Sequence, residues 1–229
     1  MDTPLNPKDR EKQLAAIEAV KLINNNDIVG LGTGSTAFFA IQEIGRLVKN
    51  GLQIKGVPTS EKTASLATSL GIELLDTNDV ESIDITIDGA DEFTESLNLI
   101  KGGGGALFRE KIVASLTKKE IIIADAAKKV DQLGAFKVPV EVAPIALNYV
   151  LKQLAKLNGT GILRSEAGKP FITDNHNYIV DADFGLIEDP ASLSAQLNLI
   201  EGILAHGLFI GLTYMVIMGE GNESHQFVL

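Results

Sequence analysis

The sequence of 229 residues contains no cysteine, no tryptophan and only three histidines. The absence of cysteine excludes disulfide bonds, thiolate metal sites and a cysteine nucleophile. The histidines, His176, His206 and His225, do not have the spacing of metal ligands. Positive charge is also scarce, since 20 Lys and Arg against 30 Asp and Glu give a net charge of −10. This balance argues against nucleic acid or an anionic membrane surface as a general partner.

Long hydrophobic runs are lacking as well. The first ten residues, MDTPLNPKDR, are polar, and no apolar signal-peptide segment follows them. The longest apolar stretch, residues 208–218, is too short to span a bilayer. We therefore expect a soluble, cytoplasmic globular protein that consists of one large domain or of a domain with a small appendage.

The first part of the chain has the pattern of alternating strands and helices. Asn6 and Pro7 are typical of a helix start, Ser60 is a helix N-cap candidate and Gly71 lies where a helix would end. The predicted strands are 28–32, 54–57, 72–75, 83–87, 97–100 and 120–124, and the predicted helices begin near Pro7, Thr36, Ser60 and Ala106. Apolar residues at helical spacing in the first helix are Leu14, Ile17, Val20 and Ile23. Such alternation is typical of an α/β fold with a doubly wound, Rossmann-like parallel sheet.

After about Gly134 the order of the predicted elements changes. Strands are predicted at 138–142, 161–164, 171–181 and 202–207, and helices at 144–157 and 190–199. The resulting order, β-α-β-β-α-β, is that of a ferredoxin-like unit. We therefore predict a smaller ferredoxin-like α+β domain, residues 134–207, inserted into a Rossmann-like catalytic domain of residues 1–133 and 208–229.

Three glycine-rich or acidic segments follow predicted strands: GLGTGST at 30–36, DGADE at 88–92 and KGGGG at 101–105. Ligands of open α/β sheets bind at the carboxyl ends of the strands, so the three segments are expected to converge on one crevice. The chain has no GxSxG nucleophile elbow.

The loop 30–36 has the features of an anion site. Its glycines allow the backbone to approach a ligand, and Thr33, Ser35 and Thr36 add hydroxyl groups at a helix start, where free N–H groups favour an anion such as phosphate. Ser35 stands in place of the third glycine of a dinucleotide motif, and Walker A is absent because there is no GK[ST]. The alternative is a strand-to-helix turn that binds nothing.

The other two segments supply charged side chains. Asp88 and Asp91 can both face the crevice, or they can belong to a solvated Asp-Gly turn. Lys101 precedes four glycines that can surround a polar substrate or form a flexible linker. Glu110 is expected one turn into the next helix and Lys128 follows a strand, although each can equally be a surface residue.

Other acidic residues have simpler interpretations. Asp181 and Asp183 alternate like one face of a strand and are expected to reach solvent or to cap a turn. A metal site is not expected, because no histidine lies near DGADE and the following strand delivers a lysine.

A set of segments in fixed order resembles type A ribose 5-phosphate isomerases: GLGTGST, VPTSEKTASLA, TIDGADE, KGGGGALFREK, IIIADAAKKVDQLG and PVEV, within about residues 8 to 218. The resemblance implies interconversion of ribose 5-phosphate and ribulose 5-phosphate without metal or cofactor, in the non-oxidative pentose phosphate pathway. It also implies a homodimer or homotetramer, with the smaller domain partly used in oligomer contacts.

The resemblance implies roles for individual residues. Glu110 is the expected proton acceptor. Because negative charge develops on the carbonyl oxygen in such an isomerisation, Lys101 is expected to stabilise it, and Asp88 and Asp91 are expected to relay protons and assist ring opening. Substrate contacts are implied for Thr33, Gly34, Ser35, Thr36, Asp88, Gly89, Ala90, Asp91, Lys101, Gly102, Gly103, Gly104 and Lys128. Lys12 aligns with a lysine near the phosphate. The chain departs from the family at Phe108, where threonine is common, and at 213–215, where the family is usually more charged.

Two alternatives of other classes remain at this point. A non-catalytic sugar-phosphate sensor needs the loop 30–36 but not Glu110 together with Lys101, and the chain carries no basic DNA-binding appendage. A CoA transferase-like enzyme uses a glutamate as nucleophile near a glycine-rich loop. Formation of a ketose from ribose 5-phosphate distinguishes the isomerase from both.

Overall fold

The computed structural model describes residues 6–229. The α-helices are α1 (Pro7–Val20), α2 (Ser35–Lys49), α3 (Glu61–Ser69), α4 (Leu107–Leu116), α5 (Leu147–Lys156) and α6 (Pro190–Leu197). The first strands are β1 (Ile28–Leu31), β2 (Lys55–Pro58), β3 (Ile85–Gly89), β4 (Glu92–Phe93), β5 (Leu99–Ile100), β6 (Glu120–Asp125) and β7 (Val138–Val142). The remaining strands are β8 (Thr160–Leu163), β9 (Ser165–Glu166), β10 (Lys169–Pro170), β11 (Tyr178–Asp183), β12 (Ile203–His206), β13 (Leu208–Phe209), β14 (Met215–Glu220) and β15 (Glu223–Phe227). Short 3₁₀ helices cover Thr77–Asp79, Ala126–Lys128 and Pro144–Ala146.

The large sheet has the strand order β15-β14-β6-β3-β1-β2. Its strands are parallel except β15, which is antiparallel to β14. Successive residues of β6 pack into different cores: Ile121 and Ile123 join the cluster that includes α1 and α2, whereas Ile122 joins the cluster that includes Ala114 of α4. Helices therefore cover both faces, and the predicted doubly wound, Rossmann-like sheet is confirmed.

The first helix begins as predicted, since the Asn6 side chain accepts a hydrogen bond from the Asp9 N–H. Its buried face differs from the prediction, because Ala15, Ala16 and Ala19 are fully buried whereas Ile17 is 36% exposed. The alanines allow a close approach of helix and sheet. At the nearest point, a Cβ on Gly219 of β14 would overlap the backbone of α1.

The predicted strand 72–75 and the apolar stretch 208–218 have different structures. The segment 72–75 makes only an isolated bridge from Leu74 to Gly56 and is not a strand, since it runs beside β2 for a single residue pair. Residues 208–218 are divided between two sheets. Leu208 and Phe209 form β13 of the small sheet β13-β5-β4, and β14 returns to the large sheet. Strand β15, with the exposed sequence ESHQF, was not predicted because it lacks an apolar face.

The second sheet has the order β12-β7-β11-β8, with antiparallel neighbours. Together with α5 and α6, this is the strand order of the predicted ferredoxin-like unit. The predicted strand over 171–181 is shorter than expected, because residues 173–177 form a turn and β11 begins only at Tyr178. The division of the chain at residues 134 and 207 stays a prediction. In the part of the chain described, no helix has the length and apolar character needed to cross a membrane.

Candidate active site

The carboxyl ends of β1, β3 and β6 open into a cleft of about 270 Å³. The cleft is lined by Lys8, Lys12, Thr33, Gly34, Ser35, Thr36, Gly89, Ala90, Asp91, Lys101, Gly102, Gly103, Gly104, Glu110, Asp125 and Lys128. Asp88 lies directly beneath it, almost fully buried. The structure therefore brings all the site residues predicted from the sequence to one place, as expected for the strand edge of an open α/β sheet.

The loop between β1 and α2 presents a helix N-terminus to the cleft. Gly34 is the N-cap of α2, with a φ of 113° that favours glycine, and no side chain caps the helix. The first N–H groups of the helix are therefore available to an anion. The Lys12 ammonium donates a hydrogen bond to Ser35 Oγ at 3.1 Å, which adds positive charge at the same point.

Thr33 is held by protein groups on both sides. Its N–H donates to Asp88 Oδ1 at 3.0 Å. Its hydroxyl lies 2.7 Å from the Thr59 hydroxyl and 2.9 Å from that of Ser60, in a buried cluster that also contains Thr63. The sequence identified Ser60 only as the cap of α3, a role the structure confirms. The hydroxyl cluster fixes the turn so that the residues after Thr33 face the cleft.

Three buried charged side chains meet at the floor of the cleft. The Lys101 ammonium lies 2.9 Å from Asp88 Oδ2 and 3.6 Å from Glu110 Oε2, and it donates a hydrogen bond to the Gly89 carbonyl. Each of the three side chains is at most 4% exposed. Glu110 Oε2 accepts no hydrogen bond from residues 6–229. This carboxylate oxygen is therefore held by the Lys101 charge alone, without a hydrogen bond.

Burial and neighbouring charge shift the pKa values of this cluster. Burial raises the pKa of Glu110 to about 8; the Lys101 ammonium opposes the rise, and Asp88 and Asp91 add to it. Burial alone would lower the pKa of Lys101, but the carboxylates of Asp88, Glu110 and Glu120 together raise it above its ordinary value. Lys101 is therefore a permanent cation, while Glu110 can exchange a proton near neutral pH.

The glycine turn after Lys101 forms the opposite wall. Gly105 donates a backbone hydrogen bond to the Gly102 carbonyl, and the Gly103 N–H donates to Asp91 Oδ2 at 2.7 Å. A Cβ on Gly103 would lie 2.5 Å from Asp91 Oδ1, so any larger residue there would displace the Asp91 carboxylate. The KGGGG segment is thus an ordered turn with bonded neighbours on both sides, which is not how a flexible linker behaves.

Sequence reasoning missed three residues near the cleft. Lys8 and Asp125 line it, with the Lys8 ammonium 4.0 Å from Asp125 Oδ1. Arg164 reaches the glycine turn from the second sheet and pairs with Asp181. Asp183 caps a turn as expected, by accepting from the Gly185 N–H, but Asp181 is held by the arginine. Only the position of Asp125 at a strand end gave a signal in the sequence.

Positions that depart from the family pattern lie elsewhere. Phe108 packs in an apolar cluster with Leu107 and Ile179, and residues 213–215 do not line the cleft. Within residues 6–229, no group of three or more His, Asp or Glu side chains is arranged to hold a metal ion.

Comparison with known proteins gives a consistent result. The model of the family described as ribose 5-phosphate isomerase A (phosphoriboisomerase A) matches residues 55–223. Ribose-5-phosphate isomerase A of Parvibaculum lavamentivorans is 48% identical over 92% of this chain and 94% of its own length, and that of Streptococcus agalactiae is 47% identical over 93% and 96%.

Solved structures agree with the sequence comparison. A D-ribose-5-phosphate isomerase in complex with phospho-erythronic acid superposes with a TM-score of 0.94 at 37% identity, over 98% of this chain and all of the other. Ribose 5-phosphate isomerase A of Methanocaldococcus jannaschii superposes with a TM-score of 0.91 at 37% identity, over 95% and 98% of the two chains. This chain belongs to the ribose 5-phosphate isomerase A family.

Proposed function

We propose that this chain interconverts D-ribose 5-phosphate and D-ribulose 5-phosphate in the cleft described above, with Glu110 as the base. The observation that carries the assignment is the buried Glu110 carboxylate in the cleft lining, whose Oε2 lies 3.6 Å from the Lys101 ammonium and accepts no hydrogen bond from residues 6–229. Family membership favours this reaction over a sugar-phosphate sensor or a CoA transferase-like enzyme.

The phosphate is proposed to bind at the N-terminus of α2. The free N–H groups of the helix, the Ser35 and Thr36 hydroxyls and the Lys12 ammonium are all suited to an anion. Lys128 lines the same cleft. These groups supply local positive charge in a chain whose net charge is −10. Because the phosphate takes no part in the bond changes, its binding energy serves to position the carbons of the sugar.

The proton transfer is proposed to run through an enediolate. Glu110 removes the proton from carbon 2 of the open-chain aldose, the C–H electron pair forms the double bond between carbons 1 and 2, and the carbonyl oxygen gains negative charge. Lys101 and the N–H groups of the glycine turn stabilise that oxygen. The hydroxyl proton on oxygen 2 then moves to oxygen 1, and Glu110 returns its proton to carbon 1. Asp88 holds Lys101, and Asp91 faces the sugar hydroxyls.

Replacing Glu110 by glutamine tests the proposal, because the amide keeps the shape of the side chain but cannot accept a proton. We expect kcat to fall by about 10² to 10⁴ with KM little changed. In the parent protein, kcat/KM should rise with pH through about 8, since only the deprotonated form of Glu110 can take the proton. The variant should lack this rise.

The control is Glu201→Gln, at an exposed position that does not line the cleft. Ketose formation from ribose 5-phosphate and exchange of solvent deuterium into carbon 2 are the measurements. Retention of most of the activity in Glu110→Gln would remove Glu110 from the role of base, and a parent protein that forms no ketose would remove the function altogether.

We also propose that the enzyme is a cytoplasmic homodimer or homotetramer. The support is a set of strongly exposed apolar side chains on the predicted smaller domain, Ile145 at 97%, Leu199 at 83% and Leu186 at 62% exposure. Light scattering after size exclusion should give a multiple of the 24.4 kDa chain mass. A mass of one chain would contradict the proposal.

A further inference from the structure

Arg164 connects the second sheet to the glycine turn of the cleft. It follows β8, and its Nη1 donates to the Gly102 carbonyl at 3.0 Å and to the Gly103 carbonyl at 3.1 Å. Its other nitrogens are bound by Asp181, with Nε donating to Oδ2 at 3.0 Å and Nη2 donating to Oδ1. The side chain is 15% exposed. The pair with Asp181 fixes the plane of the guanidinium, so that both hydrogens of Nη1 are directed at the turn.

These bonds determine which way the N–H groups of the turn point. In a trans peptide the C=O and N–H point in opposite directions, and the described residues contain no cis peptide. Holding the Gly102 carbonyl on Arg164 turns the Gly103 N–H the other way, and that N–H indeed donates to Asp91. Holding the Gly103 carbonyl on Arg164 must likewise turn the Gly104 N–H away from the second sheet.

Gly104 faces the cleft. It belongs to the cleft lining, and a Cβ built on it would lie 3.7 Å from Thr33 on the opposite wall. Among residues 6–229, no protein atom accepts a hydrogen bond from the Gly104 N–H. This donor is therefore available to a bound molecule.

Arg164 is also bound to its neighbours through its backbone and through an aromatic ring. Its own N–H donates to the Ile179 carbonyl of β11, its carbonyl accepts from the Phe171 N–H, and its guanidinium lies 5.9 Å from the centre of the Phe171 ring. The Phe171 ring also packs against Gly105, where a Cβ would lie 2.5 Å from it. The second sheet thus holds the turn at both ends.

We infer that Arg164 is a positioning residue for the isomerisation, which aims the Gly104 N–H at the oxygen that becomes negative in the enediolate. The inference rests on the proposed function. It predicts that Arg164 affects binding of the enediolate more than binding of the ground-state sugar, because the donor it positions matters most where charge develops. Lysine cannot replace it fully, since one ammonium cannot bind Asp181 in a fork and both carbonyls at the same time.

The test compares the parent protein with Arg164→Met and Arg164→Lys, and uses Arg46→Met as the control, since Arg46 is an exposed arginine whose ion pair is with Glu43 of the same helix. Inhibition constants are measured for phospho-erythronic acid, whose planar carboxylate resembles the enediolate, and for ribitol 5-phosphate, which lacks any such group. We expect kcat/KM to fall about 10- to 100-fold in Arg164→Met, mainly through kcat, in line with a misplacement of about 1 Å.

The two inhibitors separate positioning from general loss of structure. Phospho-erythronic acid should bind more weakly by a factor similar to the loss in kcat/KM, while ribitol 5-phosphate stays within about threefold of the parent, and Arg164→Lys should be intermediate. Equal weakening of both inhibitors, or an unchanged kcat, would overturn the inference. If Arg164→Met does not fold, Arg164→Lys alone decides, because parent-like kcat and inhibition in that variant would also overturn it. A parent protein without isomerase activity would refute the proposed function, whereas the inhibitor comparison would still test Arg164.

Discussion

Replacing Lys101 by methionine removes the cation from the buried cluster at the floor of the cleft. The ammonium is 2.9 Å from Asp88 and 3.6 Å from Glu110. At an effective dielectric constant of about 20, unit charges at 3.6 Å attract each other by about 5 kcal/mol. Most of this attraction offsets the cost of burying the charges. Removing one partner exposes that cost, and we expect the free energy of unfolding to fall by about 3 to 5 kcal/mol at pH 9.

The loss of stability in Lys101→Met should depend on pH, and the titration of Glu110 determines the direction of that dependence. Because the Lys101 charge lowers the pKa of Glu110 in the parent protein, the pKa of Glu110 rises further in the variant. A carboxyl with a raised pKa in the folded state binds more protons folded than unfolded, so stability falls as pH rises from about 4.5 through the folded pKa. The variant should therefore lose less stability at pH 5, where Glu110 is largely neutral, than at pH 9.

Urea unfolding at the two pH values measures the difference. Lys152→Met, at an exposed position, is the control. In a Glu110→Gln background the additional cost of Lys101→Met should be smaller, because one of the two uncompensated charges is gone. A cost below about 1 kcal/mol at pH 9, or an equal cost at both pH values, would refute the account of this cluster as interdependent buried charges. Turnover should also fall by about 10² to 10³, the effect of losing one oxyanion donor.

Two further predictions concern single residues. A Cβ at Gly32 would lie 2.2 Å from Asp88 Oδ1, so Gly32→Ala should displace Asp88 and reduce kcat at least tenfold in steady-state assays. The control Gly51→Ala, in a turn distant from the cleft, should reduce stability by about 1 kcal/mol and leave kcat unchanged. Equal kcat values for the two variants would contradict the close approach of Gly32 to Asp88. Burial, together with the nearby Lys111 charge, lowers the pKa of His206 to about 3. Between about pH 6.5 and 3 the unfolded chain therefore binds a proton at this histidine that the folded chain does not. Stability falls on acidification as a result, and His206 accounts for a loss of about 2 kcal/mol at pH 5. Melting curves of His206→Gln between pH 8 and 4 should fall less steeply than those of the parent, and parallel curves would be evidence against a buried neutral imidazole.

Local structure could be predicted from short stretches of the sequence. Helix caps and glycine turns act through bonds between residues a few positions apart, and they were predicted correctly: Asn6 caps α1, Ser60 caps α3 and Gly71 follows α3 with a positive φ. The alternation of strands and helices also determined the parallel sheet, because short βα connections leave few other topologies. The convergence of the glycine-rich and acidic segments followed from that topology alone.

Which side chains act together depends instead on long-range packing. The distances from Lys101 to Asp88 and to Glu110 and the hydrogen bond from Arg164 to Gly102 depend on the pairing of elements far apart in the chain. No local pattern encodes such pairings. The buried face of α1 shows the same limit, since alanine is preferred there for the close approach to β14 rather than for its hydrophobicity. Arg164 is the clearest case, because an arginine after a strand is an ordinary surface residue until the second sheet places it against the glycine turn.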